Sequence, residues 1–403
     1  MKQNKTALSR NKTAMSQNKK VAIIGIGATE FSKNSGRSEM QLACEAALSA
    51  VQDAGINGSD VDGMATFSMD NNWETEVHRQ IGGQELRFFS RTEYGGGGAI
   101  GPFAHATSAI QSGQCETAII YRGMNERSGL RFGGGEIMSM NALNPDMIHF
   151  SHYFPTGFMT PASWIAMSAQ RYMHEYGATS EDFGRIAVLL RDFASTNPAA
   201  FYYQRPITLE EHQQSKMIAD PLRLYDCCQE SDGAVAFVLT SLDHAKAIRK
   251  DPIEIASVRQ CALPSSRQVT PFYSESITHF PEFDALAKDL YQRADATPDD
   301  IDVACIYDHF SPAILPQLES FGFCARGEGK DFVADGHVSR GGKMPINTNG
   351  GQIGEAYIHG LNGIAEMVRQ LRGTSVNQVA GAKTALVTAG AGVPTGAAIL
   401  RRA

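Results

Sequence analysis

Residues 383–390, KTALVTAG, repeat the pattern of residues 116–123, ETAIIYRG, and this repetition decides the fold. Each segment is an apolar run typical of a β-strand, and each follows a helical pattern of similar size. The phrase DxD followed by an apolar strand also occurs twice, at residues 60–67 and 300–307. An internal duplication of one α/β unit is the simplest account of these repeats.

Strands and helices alternate in both repeats. The first has a strand pattern at 21–26, helical patterns at 39–54 and 99–111, and a closing strand at 233–239. The second has a strand pattern at 253–258 and a helical pattern at 283–294. This alternation predicts an α/β protein.

The domain boundaries follow from the same patterns. Residues 1–19 are rich in Lys, Asn and Ser and lack acidic residues, which predicts a disordered tail and leaves a transit peptide as the alternative. We expect an N-terminal half at 20–250 and a C-terminal half at 251–403. Residues 124–225 are rich in Gly, Met and aromatic residues, so we predict a loop domain inserted in the first half.

Composition narrows the function classes. The 403 residues are 42% hydrophobic and 20% charged, which is globular composition. The net charge is −7 and there is no long basic stripe, which argues against nucleic acid as a partner. The longest apolar run, 384–400, is rich in Gly and Ala, so we interpret it as buried core rather than as a membrane segment. Seven scattered cysteines without zinc spacing are typical of a reducing cytoplasm.

Several familiar motifs are missing or weak. The sequence has no GxSxG elbow and no Walker loop. Residues 25–30, GIGATE, follow a strand as a dinucleotide loop would, but Glu30 occupies the position of its last glycine. His149 and His152 lack a third ligand nearby, so we expect no metal. Cys227 and Cys228 are best interpreted as buried structural thiols.

Four short segments carry the candidate chemistry. A four-glycine run precedes a helix at 93–101, and a glycine-rich loop runs into a helix at 347–363. Adjacent glycines expose backbone N–H groups that could hold a thioester oxyanion, although a flexible turn explains them equally well. The other segments are GAG at 390–392 and YDHF at 307–310, each at the end of a strand. The candidate oxyanion residues are Gly95, Gly96, Gly97, Gly390 and Gly392.

In these segments the sequence resembles the thiolase superfamily, in the branch of sterol-carrier-protein-type thiolases and lipid-transfer proteins. The resemblance extends from about Lys20 to the C-terminus. Its most specific marks are the opening VAIIGIGATEFSK at 21–33, the internal duplication and the NTNGG loop at 347–351. It implies a duplicated five-layer αβαβα architecture with an inserted loop domain.

The catalytic residues of that superfamily are replaced in this chain. The nucleophilic cysteine falls on Gly96, and the histidine of the glycine loop falls on Tyr357. The histidine of the His-Asp-x-Phe motif falls on Tyr307, with Asp308 and Phe310 retained. A second cysteine is absent from 390–392. Covalent acyl transfer is therefore unsupported, because a phenol with a pKa near 10 is a poor substitute for an imidazole near 6.5.

With two tyrosines in place of two histidines, the chain resembles the steroid side-chain-cleaving aldolases, which have the thiolase fold. The resemblance implies retro-aldol cleavage of a β-hydroxyacyl-CoA, a steroid thioester with a tertiary alcohol, to a ketone and a shorter acyl-CoA. It makes Tyr307 and Tyr357 the catalytic residues. It also implies a small OB-fold partner protein and a homodimer, with no cofactor besides the CoA of the substrate.

Retro-aldol chemistry needs a base for the β-hydroxyl proton, an enolate site and an acid. We predict that Tyr307, with its pKa lowered or acting through water, accepts the proton while Tyr357 donates, although the reverse order stays open. Asp308 and His309 are candidates for support. His359 is expected to lie on a helix and to face away, and no motif supports Lys343 or Lys383 as a Schiff-base residue.

Two alternatives compete with the aldolase. One is a Claisen-type acyltransferase or thiolase that uses another cysteine, such as Cys305. The other is a carrier that binds acyl-CoA or lipid without turning it over. Acylation by acetyl-CoA would favour the first, and binding without products would favour the second.

Overall fold

A computed structural model describes residues 19–92, 96–129, 151–249, 251–264, 275–390 and 394–403. Most of the predicted tail, Gly95, His149 and Gly392 therefore lie outside the described residues, as does part of the predicted loop domain.

The strands are β1 (Val21–Ala28), β2 (Gly63–Phe67), β3 (Phe88–Thr92), β4 (Thr117–Asn125), β5 (Met217–Ala219), β6 (Leu222–Arg223), β7 (Asp232–Ser241), β8 (Ile253–Cys261), β9 (Val303–Cys305), β10 (Thr384–Ala389) and β11 (Thr395–Arg402). The helices are α1 (Glu39–Ala54), α2 (Glu74–Gln80), α3 (Gly101–Ser112), α4 (Pro161–Tyr176), α5 (Ser180–Thr196), α6 (Leu209–Gln214), α7 (Leu242–Ile248), α8 (Pro281–Ala294), α9 (Ile314–Ser320), α10 (Gly329–Ala334), α11 (Gly351–Gly354) and α12 (Leu361–Arg372).

The sheet pairing shows the duplication directly. In the first half the strand order is β3-β2-β4-β7-β1, with β2 parallel to β4 and β4 antiparallel to β7. In the second half the order is β9-β10-β11-β8, with β9 parallel to β10 and β10 antiparallel to β11. A single parallel bridge from Ala304 to Ile346 occupies the place that β3 has in the first half.

The elements stack in five layers. β1 pairs with β8, so the two halves join in one nine-stranded sheet. α1 packs on the first half of this sheet, α8 packs on the second half, and α3 and α12 contact strands of both halves. In the described part of the chain, three clusters of buried apolar side chains pack between these elements. The predicted five-layer αβαβα arrangement is therefore confirmed.

The ends of the helices follow local rules. α1 begins after Ser38, whose hydroxyl oxygen accepts a hydrogen bond from the Gln41 backbone N–H, and it ends at Gly55 with a φ of 71°. The helix predicted at 99–111 is α3, and it is preceded by a 3-10 turn at Gly96–Ile100. The four-glycine run therefore does not lead directly into the α-helix.

The segment between β4 and β7 is largely helical where it is described. It contains α4, α5 and α6 and the short β5–β6 hairpin. α5 packs against α11, so the inserted segment contacts the glycine loop that precedes α12. None of the helices in the described ranges combines the length and the apolar character needed to cross a membrane.

Candidate active site

Tyr307 lies just beyond β9, and two hydrogen bonds fix its backbone. Its N–H donates to Thr388 Oγ1 at 2.9 Å, and its carbonyl oxygen accepts from Gln317 Nε2 at 2.8 Å. The Thr388 hydroxyl in turn donates to Gln317 Oε1 at 2.6 Å. This closed network ties the end of β9 to β10, and it places Tyr307 beside the strand that leads to Gly390.

The NTNGG loop completes the sheet where β9 ends early. Asn347 Oδ1 accepts from the Ile306 N–H at 2.7 Å, and its Nδ2 donates to the Ile306 carbonyl at 2.8 Å. The side chain thus takes the place of a neighbouring strand, which is why β9 stops at Cys305 rather than at the predicted residue 307.

Asp308 anchors the same loop. Its carboxylate accepts from the Ile353 N–H at 3.2 Å and from Gln352 Nε2 at 3.3 Å. Gly351 has a φ of 66°, and a Cβ there would lie 2.2 Å from Asp308 Oδ2, so glycine is required at this position. Burial raises the pKa of Asp308 to about 6. Asp308 therefore holds the loop that precedes Tyr357.

Tyr357 follows that loop and is held by the chain before β7. Its N–H donates to Ser231 Oγ at 3.2 Å, and Glu230 forms a parallel bridge with it. The two predicted tyrosines meet here: the hydroxyl oxygens of Tyr307 and Tyr357 lie 3.1 Å apart, within hydrogen-bond distance. The Tyr307 side of the pair is buried, with 4% of the residue exposed.

The acidity of the phenols differs from the prediction. Burial raises the pKa of Tyr307, although the hydrogen bond with Tyr357 partly offsets it. Burial also raises the pKa of Tyr357, and the neighbouring Tyr307 adds to this shift. The predicted lowering of the Tyr307 pKa is therefore wrong, because desolvation of the phenolate outweighs the hydrogen bond. Both phenols are protonated at neutral pH.

Both flanking histidines contact the tyrosine rings. The ring centroids of His309 and Tyr307 are 5.1 Å apart, and so are those of His359 and Tyr357. Burial lowers the pKa of His309 to about 3, so its imidazole is neutral. Among the described residues, neither imidazole is hydrogen-bonded to a phenol. His309 thus packs on Tyr307 without the hydrogen bond considered for it.

The expected helical placement of His359 is wrong. It lies in the loop before α12 with a φ of 51°, and its Nδ1 accepts from Arg122 Nε at 3.1 Å. Arg122 also pairs with Asp70 at 3.1 Å. Burial and the nearby guanidinium lower the pKa of His359.

Two of the predicted oxyanion glycines are in contact. A Cβ on Gly97 would lie 2.3 Å from the Pro394 carbonyl oxygen and 3.4 Å from Gly390 Cα. A Cβ on Gly390, whose φ is 108°, would lie 3.3 Å from Gly97 Cα. The two glycine segments therefore approach each other closely, two residues beyond Thr388. Gly96 lies beside Gly97 in the 3-10 turn.

The thiols near the site are poor nucleophiles. Cys305 is buried, and a Cβ at Gly363 would lie 2.3 Å from its Sγ, so α12 covers the thiol. Burial raises the pKa of Cys305 and of Cys228. Burial likewise raises the pKa of Cys227 to about 12. Cys227 and Cys228 are half-buried rather than buried as predicted.

Sequence reasoning missed Glu126 and Lys33. The negative charge of Glu126 helps to raise the pKa of both phenols, and it acts in the same direction on the pKa of Lys33. Lys33 is the last residue of the VAIIGIGATEFSK segment at 21–33, and this segment was the signal in the sequence that could have pointed to it. By contrast, Lys343 is exposed and pairs with Asp299 at 2.8 Å. Lys383 is exposed as well.

Comparison with known proteins agrees with this fold. Residues 267–401 match a family model described as thiolase C-terminal domain-like. The chain is 54% identical to a steroid side-chain-cleaving aldolase of Thermomonospora curvata, covering 94% of this chain and 97% of that one. It is 51% identical to the 17-hydroxy-3-oxo-4-pregnene-20-carboxyl-CoA lyase of Mycobacterium tuberculosis, covering 94% and 99%.

A solved structure is also similar. The Ltp2-ChsH2(DUF35) aldolase superposes with a TM-score of 0.91 at 52% identity, covering 96% of this chain and 99% of that one. The fold and these relatives define a carbon–carbon lyase built on the thiolase fold. The chain belongs to the family of steroid side-chain-cleaving aldolases.

Proposed function

We propose that this enzyme cleaves a β-hydroxyacyl-CoA by a retro-aldol reaction, using two tyrosines and no covalent acyl intermediate. The substrate is a steroid side-chain CoA thioester with a tertiary alcohol, and the products are a ketone and a shorter acyl-CoA. The observation that carries this proposal is the 3.1 Å contact between the Tyr307 and Tyr357 hydroxyls, at the two positions where thiolases have histidines. The names of the two similar enzymes support the substrate class.

Protonated phenols supply both acid and base through a relay. In one concerted relay, the oxygen of Tyr307 accepts the β-hydroxyl proton while the proton of Tyr307 passes to Tyr357. As Tyr357 receives that proton, it gives its own proton to the α-carbon of the enolate that forms when the C–C bond breaks. The substrate thus loses one hydroxyl proton, and the acyl-CoA product gains one proton on its α-carbon. Neither phenolate has to exist free, which suits two tyrosines with raised pKa values.

The backbone around Gly97 and Gly390 is the proposed enolate site. The two glycine segments pack closely together, and glycines carry no side chain that would keep a thioester oxygen away from their backbone N–H groups. Oxyanion donors of this kind typically contribute about 2.7–4 kcal/mol each to lowering the barrier. Gly95, Gly96 and Gly392 remain part of the proposal on sequence grounds. The proton balance closes within the substrate and the two phenols, so the proposal needs no cofactor.

The proposal also includes two kinds of protein partner. β3 forms an edge of the sheet and Phe89 on it is 61% exposed, which favours a homodimer through this edge. The similar solved structure is an Ltp2-ChsH2(DUF35) aldolase, which supports a second protein as a partner here. We propose that this partner is a small OB-fold protein, as the sequence resemblance implies. A cytoplasmic location is proposed from the seven scattered cysteines.

The test is mass spectrometry of the products formed from a panel of β-hydroxyacyl-CoAs, with and without the OB-fold partner. We expect a ketone and an acyl-CoA shortened by the cleaved fragment from steroid thioesters with a tertiary alcohol. An acyl-enzyme adduct trapped from any of these thioesters would contradict the relay. Binding without products, in the presence of the partner, would leave only the carrier function.

A further inference from the structure

One short segment of chain joins both tyrosine loops. This connector segment comprises residues 228–231. Its Cys228 N–H donates to the His309 carbonyl at 3.0 Å, and its Gln229 N–H donates to the Gln352 carbonyl at 2.9 Å. At its other end Ser231 Oγ accepts from the Tyr357 N–H. The connector segment therefore spans from two residues beyond Tyr307 to Tyr357 itself.

Lys33 holds the connector segment. Its Nζ donates to Gln229 Oε1 at 3.0 Å and to the Glu230 carbonyl oxygen at 2.7 Å. Its own backbone position is fixed, because the preceding Ser32 pairs with Asp232 through two hydrogen bonds, of 3.0 and 2.8 Å. Lys33 thus connects the loop after β1 to the two central residues of the connector segment.

The same ammonium group meets the inserted segment. Lys33 Nζ lies 4.4 Å from the centroid of the Phe201 ring. The Phe201 N–H donates to the Glu355 carbonyl at 2.9 Å, two residues before Tyr357. Gln229 Nε2 also donates to the Tyr202 hydroxyl at 3.2 Å. Lys33 therefore contacts, on two sides, the elements that position Tyr357.

We infer that Lys33 is a positioning residue, whose ammonium group fixes the connector segment and thereby keeps the Tyr357 hydroxyl within hydrogen-bond distance of Tyr307. This inference rests on the proposed function for its kinetic readout. Two oxygen acceptors and an aromatic face converge on one cation, so an apolar side chain of similar length satisfies none of them. A displacement of about 1 Å in such a relay costs on the order of a hundredfold in rate.

The test compares Lys33→Met and Lys33→Arg with wild type, and Lys330→Met is the matched control. Lys330 is also a partly buried lysine, paired with Asp331 at 2.7 Å on α10, outside the site. We expect Lys33→Met to lower kcat by about tenfold to a hundredfold with KM changed less than about threefold, and Lys33→Arg to recover most of the loss. Gln229→Leu should lose less than additively when combined with Lys33→Met.

A crystal structure of Lys33→Met gives a readout independent of turnover. We expect the separation of the Tyr307 and Tyr357 hydroxyls to exceed hydrogen-bond length. An unchanged separation, or wild-type kcat in Lys33→Met, overturns the inference, as does an equal loss in Lys330→Met. Should Lys33→Met fail to fold, Lys33→Arg and Gln229→Leu decide in its place. If wild type cleaves no substrate but the pair opens in Lys33→Met, the proposed function fails and the positioning role stands.

Discussion

The hydroxyl oxygens of Tyr307 and Tyr357 lie 3.1 Å apart although the residues are fifty positions apart in the chain. Tyr307 follows β9, and Tyr357 follows the glycine loop that replaces a strand beside β9. Gly360 completes the arrangement, because a Cβ there would lie 3.2 Å from Tyr307 Cε2. The pair therefore depends on contacts from both loops and from the start of α12.

Removing either hydroxyl should stop the relay. We expect Tyr307→Phe and Tyr357→Phe each to lower kcat by at least about a hundredfold, the usual scale of general acid–base catalysis. The measurement is the initial rate of ketone formation from the preferred substrate. Tyr176→Phe is the control, since its half-buried ring packs against Tyr172 on α4, outside the site. Near-normal turnover in both site variants would refute the assignment.

Gly360→Ala tests the contact with the Tyr307 ring. Gly373→Ala is the control. Gly373 lies at the other end of α12 and has a φ of 78°, similar to the 85° of Gly360, but a Cβ there would meet open space. Both alanine variants should lose about 1–2 kcal/mol of unfolding free energy from the positive φ. Only Gly360→Ala should also lower kcat, by about tenfold or more, because its methyl group displaces Tyr307. Equal kcat values in the two variants would show that the contact is unimportant.

The pH dependence of kcat separates a phenol relay from a phenolate base. Burial raises the pKa of both tyrosines above their usual range. We therefore expect kcat to stay level from about pH 8 to about pH 9.5, since neither group ionises there. Steady-state rates across this range provide the measurement. A rise of about tenfold per pH unit would instead indicate a phenolate.

Asp308 should make the enzyme less stable as the pH rises. Its pKa is raised by burial from 3.8 to about 6 in the folded state, so folding favours the protonated form. The protonated carboxyl contributes about 3 kcal/mol to the free energy of unfolding. This contribution is fully present below about pH 4 and is lost as the pH rises through about 6. Urea unfolding of wild type and Asp308→Asn from about pH 4 to 7 should show this difference. A pH-independent difference between the two would contradict it.

Much of the architecture was predictable because local patterns repeat. The helix predicted at 39–54 is α1, and the repeated strands at 116–123 and 383–390 correspond to β4 and β10. β9 was predicted too long, since its pairing after Cys305 is taken over by the Asn347 side chain. No periodicity in the sequence reveals a side chain that acts as a strand.

The sequence by itself determined the duplicated fold, because the repeated segments depend on residue type and spacing, which are local. The resemblance to the thiolase superfamily singled out Gly96, Tyr307 and Tyr357. Only the tertiary structure decided that the two phenols share a hydrogen bond, that their pKa values are raised and that Lys33 belongs to their surroundings. Desolvation and long-range hydrogen bonds arise only when distant segments pack together, so no reading of the chain in order could give them.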